Sequence, residues 1–365
     1  MDIFDTVRTA PVAADDSIMV KGQRASAGSK ILGDFVAPFD ATVVTRLRER
    51  GIAISSGRGM SEFGLYDLFA DGSGDIGGAV AAVVEGEASF ALSNDVFGGD
   101  RFHAARNGLC YIAPAYGTVS RYGLIPLVSS MDRAGIVCRD LSAGFDLLSS
   151  IAGNDPKDGA MYAEKNYVYA RVPEPPRVGV PAGIIEKTHG ASKDALLDFA
   201  AAFENKIVDL PYFDIYAEVM YILCSAELSA NISRYDGIKF GYRAEGFENL
   251  EELYLRTRTE GFGLQAKLAA VMGSLVLSKG MYASYYEKAM KIRRLIKESL
   301  SFDDCDVILL PASAGEDPLA NFALFALASL AGLPSVVFPY GGGAVQLIAG
   351  AGNENALLTA REVTK

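Results

Sequence analysis

The sequence contains few of the residues from which small catalytic and metal sites are usually built. Tryptophan is absent, and only two histidines and four cysteines occur among 365 residues. The cysteines are scattered and form no C-x-x-C pair, which argues against a zinc ribbon and a disulfide framework and predicts reduced thiols. They are Cys110, Cys138, Cys224 and Cys305.

Long apolar runs and targeting signals are missing as well. No stretch reaches the roughly 18 apolar residues that a membrane helix needs. The first residues, MDIFDTVRTAPVAADD, have neither a basic start nor an apolar core, so they do not form a secretory signal. We therefore expect a cytoplasmic protein that does not enter a membrane.

The charge balance is acidic. The chain has 34 basic and 45 acidic residues, which gives a formal net charge of −11. Such a chain is poorly suited to bind nucleic acid or an anionic membrane by itself, so we expect neither as a direct partner. Apolar residues make up 50% of the chain, enough for a large core, and no break in composition divides it. We expect one domain over residues 1–365.

Hydrophobic periodicity predicts short buried strands that alternate with helices. Helices are expected over residues 41–48, capped by Asp40, and over residues 141–152, capped by Asp140. Two apolar runs bounded by prolines, residues 306–311 and 334–339, are typical of buried strands. Residues 1–30 are polar and rich in turn-forming residues, and no strand is predicted in them. Further helices are predicted at 79–84, 193–205, 216–233, 249–256 and 264–300, and a further strand at 51–57. This alternation indicates an α/β layer architecture.

No sequence motif, considered by itself, indicates a set of catalytic residues. The glycine-rich loop GSGDIGG (72–78) lacks the G-K-[ST] of a phosphate loop, and no G-x-S-x-G nucleophile motif occurs. Asp95, Asp100 and His103 are close in sequence and are a weak candidate for a metal site. A hydrogen-bonded loop is the commoner explanation for such a group. The second histidine, His189, lies in a polar stretch and is expected to be solvated.

Several long segments together resemble the amidase signature family. Within that family they are most similar to the A subunit of the tRNA-dependent glutamyl amidotransferases, and their order and spacing match over nearly the whole chain. The resemblance implies an α/β amidase-signature fold with a mixed central sheet layered between helices, shortened at its N-terminal end. The segments are KGQRASAGSKIL (21–32), PFDATVVTRLRERG (38–51), YGTVSRYGLIP (116–126), SSMDRAGIVCRD (129–140), IAGNDPKDG (151–159) and residues 229–263, 277–297 and 330–335.

The resemblance also implies a catalytic triad, which this sequence lacks at the matching positions. In the family a lysine, a cis-peptide serine and a nucleophilic serine hydrolyse an amide. Here the lysine position holds Asp15, the cis-serine position Ile76 and the nucleophile position Gly99. A shift of one residue would place Asp100 at the last position instead. Isoleucine and glycine supply no side-chain donor, acceptor or nucleophile, so we expect no catalytic residue here.

The family's glutamine pocket is replaced in the same way. A tyrosine, an arginine and an aspartate hold the substrate in the family, and the matching positions here are Met220, Ala269 and Phe322. Alanine and phenylalanine cannot clamp an amino acid's carboxylate and ammonium groups. We expect a filled, dry core there, closed by Ile76, Met220 and Phe322, with no cofactor and no metal.

Three functions remain open at this point. The first is an inactive paralogue that acts as a scaffold or regulator for B- or C-like amidotransferase subunits or for an A-like chain. The second is a working glutamine-hydrolysing subunit, which would need a serine such as Ser73 or Ser93. The third is a repurposed enzyme that uses Asp15, Asp95, Asp100 and His103 of the old pocket. The sequence favours the first.

Overall fold

A ten-stranded mixed sheet forms the centre of the described part of the molecule. The computed structural model describes residues 11–65, 76–163, 167–313, 315 and 317–364. The strands of the sheet run in the spatial order β2-β1-β3-β5-β4-β9-β10-β8-β6-β7. They are β1 (Val12–Asp15), β2 (Ile54–Arg58), β3 (Phe90–Asn94), β4 (Cys110–Ala113), β5 (Ala134–Cys138), β6 (Val178–Pro181), β7 (Asn205–Val208), β8 (Val307–Pro311), β9 (Ser335–Tyr340) and β10 (Gly343–Ala349).

Strand directions are parallel toward both edges and antiparallel in the middle. Strand β1 pairs in parallel with β2 and β3, and β6 pairs in parallel with β7 and β8. Between β3 and β8, each successive pair of strands (β3–β5, β5–β4, β4–β9, β9–β10 and β10–β8) is antiparallel. The mixed central sheet that the sequence predicted is therefore confirmed.

Helices cover both faces of this sheet. They are α1 (Thr42–Glu49), α2 (Gly78–Val84), α3 (Gly99–Arg106), α4 (Leu141–Ile151), α5 (Ala182–Lys187), α6 (Gly190–Ala201), α7 (Tyr216–Ile232), α8 (Leu250–Gly261), α9 (Leu264–Leu277), α10 (Tyr286–Ser299), α11 (Pro318–Ala331) and α12 (Glu354–Val363). Among the described residues, no helix is long and apolar enough to cross a membrane.

Successive side chains along each strand point to opposite faces of the sheet, so the buried core is divided between those two faces. In β8, Val307 and Leu309 pack with helices α1, α4, α6 and α12, whereas Ile308 and Leu310 pack with α7 and α9 to α11. Helices α2 and α3 cover the remaining part of that second face. This is the period of two that places successive strand side chains on opposite sides of a sheet.

Most of the predicted elements are confirmed. Helix α4 begins behind Asp140, whose carboxylate accepts a hydrogen bond of 3.0 Å from the Ala143 N–H. The strands β8 and β9 lie where the proline-bounded runs predicted them. Residues 264–300, predicted as largely helical, form the two helices α9 and α10.

Two local predictions are wrong. Residues 12–15, expected in a region of turns, form the buried strand β1, because the short apolar run VAA pairs in parallel with both of its neighbours. Asp40 does not cap α1, since Ala41 takes the cap position. The Asp40 carboxylate instead accepts from the Lys21 N–H at 2.7 Å and from Arg48 at 2.5 Å.

Helix α3 is preceded by a glycine that no other residue can replace without strain. Gly98 precedes the helix with φ of 93°, in the left-handed region. A Cβ added there would overlap the side chain of Phe325 in α11. The loop before α3 is therefore held against α11 by direct backbone contact.

Substituting this glycine tests that packing. We expect Gly98→Ala to lower the free energy of unfolding by about 3 kcal/mol, since it combines left-handed strain with an overpacked contact. Gly108→Ala is the control: Gly108 has φ of 66° but nothing near its missing Cβ, and it should cost only about 1 kcal/mol. Urea denaturation measures both. Equal losses in the two variants would contradict the proposed packing role of Gly98.

Candidate functional site

Asp15 ends strand β1 with its carboxylate saturated by donors. One oxygen, Oδ1, accepts from the Ser17 N–H at 2.8 Å and from the Ser17 hydroxyl at 2.6 Å. The other, Oδ2, accepts from the Asn94 N–H at 2.9 Å. The side chain is buried, and this burial raises its pKa to about 6 although the hydrogen bonds oppose the rise. The groups around Asp15 donate hydrogen bonds, so this position suits a hydrogen-bond acceptor.

A second buried carboxylate is joined to the first through Asn94. The Asn94 side-chain amide donates to Asp132 Oδ1 at 3.0 Å, and its carbonyl accepts from the Arg133 N–H at 3.1 Å. Asp132 also accepts from the N–H groups of Leu127 and Val128. Burial raises the pKa of Asp132 to about 6 as well. Asn94 thus connects the ends of β1 and β3 to the start of β5.

Asp95 forms an ion pair inside the protein. Its Oδ2 accepts from Arg101 Nε at 2.9 Å and from the Arg101 N–H at 3.0 Å, while Oδ1 accepts from the Gly98 N–H at 2.7 Å. Both side chains are shielded from solvent. Arg101 further donates to the Phe325 carbonyl at 3.1 Å and to the Ser329 hydroxyl at 3.1 Å. Because the carboxylate is committed to this pair, Asp95 is not available as a metal ligand.

Ser329 brings a second buried arginine to the same place. Arg133 donates to Ser329 Oγ at 3.3 Å and to the carbonyls of Pro114 and Leu333 at 3.1 and 2.7 Å. Burial, together with the neighbouring Arg101, lowers the pKa of Arg133 to about 9. Sequence reasoning missed this cluster, since Ser329 and Arg133 are far from Arg101 along the chain. Two arginines and one aspartate hold α3, β5 and α11 together.

The other two positions that the family resemblance assigns to the triad carry no polar side chain. Gly99 is the first residue of α3, directly after the loop that Asp95 organises. Ile76 lies before α2, and its side chain is 40% exposed. Ile76 is therefore not part of the buried core, and its role in closing the pocket stays a prediction.

The three positions that the family resemblance assigns to the glutamine pocket are all buried in one apolar cluster. Met220 on α7, Ala269 on α9 and Phe322 on α11 belong to the same core. Phe322 also stacks on Phe97, in the loop before Gly99, with ring centroids 6.1 Å apart. Apolar side chains thus fill these positions and contact the loop that leads to α3.

The described residues that the alternative functions require also have interactions within the protein. Ser93 is buried, with its hydroxyl 3.0 Å from that of Tyr111; Ser73 lies outside the described residues. Asp100 is buried near Tyr111, whose pKa is raised well above its ordinary value by burial first and then by the negative charges of Asp95 and Asp100. The ring of His103 lies edge-on to Phe102. In the described ranges, no cluster of three acidic, histidine or cysteine side chains is arranged to hold a metal.

The fold and the sequence together identify the class of protein. The Amidase family profile matches residues 9–67 and 72–358, which is most of the chain. The chain belongs to the amidase family, as its resemblance to the amidase signature segments predicts.

Its relatives are amidotransferase subunits. It is 36% identical to the glutamyl-tRNA(Gln) amidotransferase A subunit of Lachnoclostridium phytofermentans over 370 residues, 91% of this chain and 75% of that protein. The crystal structure of the corresponding subunit from Thermotoga maritima superposes with a TM-score of 0.72 at 26% identity, over 96% of this chain and 81% of that one.

A structure from a vestigial protein complex, described as revealing the evolutionary origins of an s-triazine catabolic enzyme, shares the fold. Its TM-score is 0.80 at 22% identity, over 99% of this chain and 87% of that one.

The buried carboxylate of Asp15 predicts a pH dependence of stability. Its pKa is raised by folding, so its contribution to stability is present below about pH 4 and is lost as the pH rises through about 6. A rise of this size corresponds to about 3 kcal/mol. We expect the wild-type free energy of unfolding, relative to that of Asp15→Asn, to fall by about this amount between about pH 3.5 and pH 7.

Urea denaturation across this pH range measures the effect. Asp34→Asn, which changes an exposed carboxylate, is the control and should run parallel to the wild type. A pH-independent difference between wild type and Asp15→Asn would show that folding does not raise the Asp15 pKa.

The packed environment of Ala269 predicts that an arginine is not tolerated at this position. Ala269→Arg places an unpaired charge in an apolar core, and we expect it to lower the free energy of unfolding by roughly 4 kcal/mol. Val271→Arg, two residues away on the exposed side of α9, should change it by about 0.5 kcal/mol or less. Equal stability of the two variants would indicate a cavity at Ala269 that admits a charged group.

Proposed function

We propose that this chain is a catalytically inactive relative of the amidotransferase A subunit that acts as a scaffold or regulatory partner in a protein complex. The observation that carries the proposal is the state of Asp15 at the end of β1. The family mechanism requires a lysine amine there to accept a proton from serine. Three donors instead surround a carboxylate, and a lysine amine in its place would face N–H and O–H groups.

The remaining site positions support the same conclusion. Gly99 and Ile76 carry neither a nucleophile nor a proton relay, so no acyl-enzyme can form on them. Met220, Ala269 and Phe322 lie within an apolar core and offer no partner for a glutamine carboxylate or ammonium group. The proposal accordingly assigns no cofactor and no metal to the site.

The hydrogen bonds and the ion pair that hold this region together do not involve the side chains of these positions. The Asp95–Arg101 pair and its bonds to α11 preserve the loop before α3 without a serine in it. Because the relatives are named as subunits, a chain that keeps the scaffold is suited to bind protein partners. We propose B- or C-like amidotransferase subunits or an A-like chain as these partners, in the cytoplasm, without direct contact to nucleic acid.

The alternative of an active glutaminase needs another nucleophile. Ser93 is buried against Tyr111 and is therefore inaccessible to substrate. The alternative of a repurposed carboxylate enzyme needs free acids, but the Asp15 and Asp95 carboxylates each accept three hydrogen bonds within the protein. Both alternatives are therefore less well supported than the scaffold.

Ammonia release from glutamine tests the proposal. We expect the wild-type chain to be at least about 10⁴-fold slower than a working amidotransferase, because the nucleophile and its base are both absent. Gly99→Ser should stay equally inactive, since a serine without lysine or cis-serine is not activated. The intact amidotransferase of Lachnoclostridium phytofermentans, assayed in parallel, is the positive control. Turnover by wild type would overturn the proposal; turnover by Gly99→Ser alone would contradict the assignment of Asp15 and Ile76 to the triad positions.

A further inference from the structure

Helix α9 has two apolar faces, which is unusual for a helix at the surface. Its inner face consists of small residues that pack on α7, including Ala266, Ala269 and Gly273. The fit is tight: a Cβ added at Gly273 would overlap the Ser225 carbonyl and the Ser229 side chain of α7. The inner face therefore packs α9 closely against α7.

The outer face of α9 is a stripe of larger aliphatic residues. Leu264, Val271 and Leu275 are 69%, 66% and 46% exposed, and Leu268 between them is half-buried. A surface helix normally presents polar residues on this side. Lys267 is the sole charged residue of the helix. Within the part of the chain that the structure describes, this apolar stripe is left facing solvent, a mark of an interaction surface.

The spacing of the stripe residues indicates which kind of structural element can pack on them. Its members follow one another at intervals of four, three and four residues, and they lie along one line of the helix. This is the spacing of a seam that packs knobs-into-holes against another α-helix. An α-helix is therefore the element that fits it.

The stretch of chain that begins with the stripe and runs through α10 is basic in sequence, and this charge indicates the chemistry of that helix. Residues 264–299, which span α9 and α10, contain seven basic and two acidic residues in a chain of net charge −11. Both acids are already held in ion pairs on α10, Glu287 with Lys291 and Glu298 with Arg294, each at 2.6 Å. The lysines that follow the stripe, Lys279 and Lys288, therefore have no acidic partner within these two helices.

We propose that the stripe Leu264–Leu268–Val271–Leu275 docks an acidic amphipathic helix of a partner protein. This inference rests on the proposed function, because it names the partner chemistry of a chain proposed to act as a scaffold. A second copy of the same chain does not fit, since a symmetric contact through α9 would bring two basic segments together. The partner's leucine-like residues pack on the stripe, and its carboxylates face Lys279 and Lys288.

Capture of the tagged full-length protein from the cells that make it, with mass spectrometry, is the first step of the test. The disruptive variant is Val271→Glu/Leu275→Glu, which places two acids on the stripe. Leu197→Glu is the matched control, because Leu197 is also 46% exposed but lies on α6, on the opposite side of the sheet. All of these positions face solvent, so the variants should unfold at the wild-type temperature.

We expect one protein to be recovered in near-stoichiometric amount with wild type and Leu197→Glu, and to be reduced at least about tenfold with Val271→Glu/Leu275→Glu. With the purified complex, a zero-length carbodiimide cross-linker should join Lys279 or Lys288 to Asp or Glu residues of a helical segment in that protein. The affinity should weaken as salt is raised.

Each contrary result has a distinct meaning. Retention of the partner by Val271→Glu/Leu275→Glu would overturn the docking surface while leaving the scaffold function standing. Cross-links from Lys279 or Lys288 to a second copy of this chain, or to a partner segment without acids, would overturn the proposed occupant. Recovery of the protein alone would overturn the partner role itself, and the docking surface with it.

Discussion

The buried ion pair between Asp95 and Arg101 is the interaction on which the site region depends. Both charges are almost free of solvent contact, so removing either one would leave the other uncompensated in the core. Through Ser329 and the Phe325 carbonyl, Arg101 also fixes α11 against the loop before α3. This pair must be kept for folding whether or not the loop carries a nucleophile. Its presence beside Gly99 therefore reflects the demands of the scaffold and says little about catalysis.

Helix α9 presents one face to the core and the other to the surface proposed for a partner. Ala269, which the family resemblance assigns to the substrate pocket, faces the core, and Val271, two residues further on, faces solvent. A large polar residue at the first position would disturb the packing of the helix on α7, and one at the second would not. In a scaffold, the small inner residues let α9 pack closely on α7, while its outer residues are available to contact another chain.

Local sequence signals predicted much of the fold and part of the site. Helix α4 and its Asp140 cap follow from periodicity and capping chemistry, and the resemblance supplied the mixed sheet. Strand β1 could not be predicted locally, since its four residues are stable only between two parallel neighbours from later in the chain. The identity of Asp15 was visible in the sequence, whereas the Asn94 link and the convergence of Arg101 with Arg133 exist only in the folded protein.

The strand order has a consequence for how the protein folds. Strands β4 and β9 are neighbours at the centre of the sheet, yet the residues they pair, such as Tyr111 and Val337, are far apart in sequence. Forming such a contact requires closure of a very long loop before any stabilisation is gained, which slows folding. During synthesis, β4 leaves the ribosome long before β9 and has an unpaired edge until then. Until β9 has been made, this edge of β4 is open to pairing with other chains.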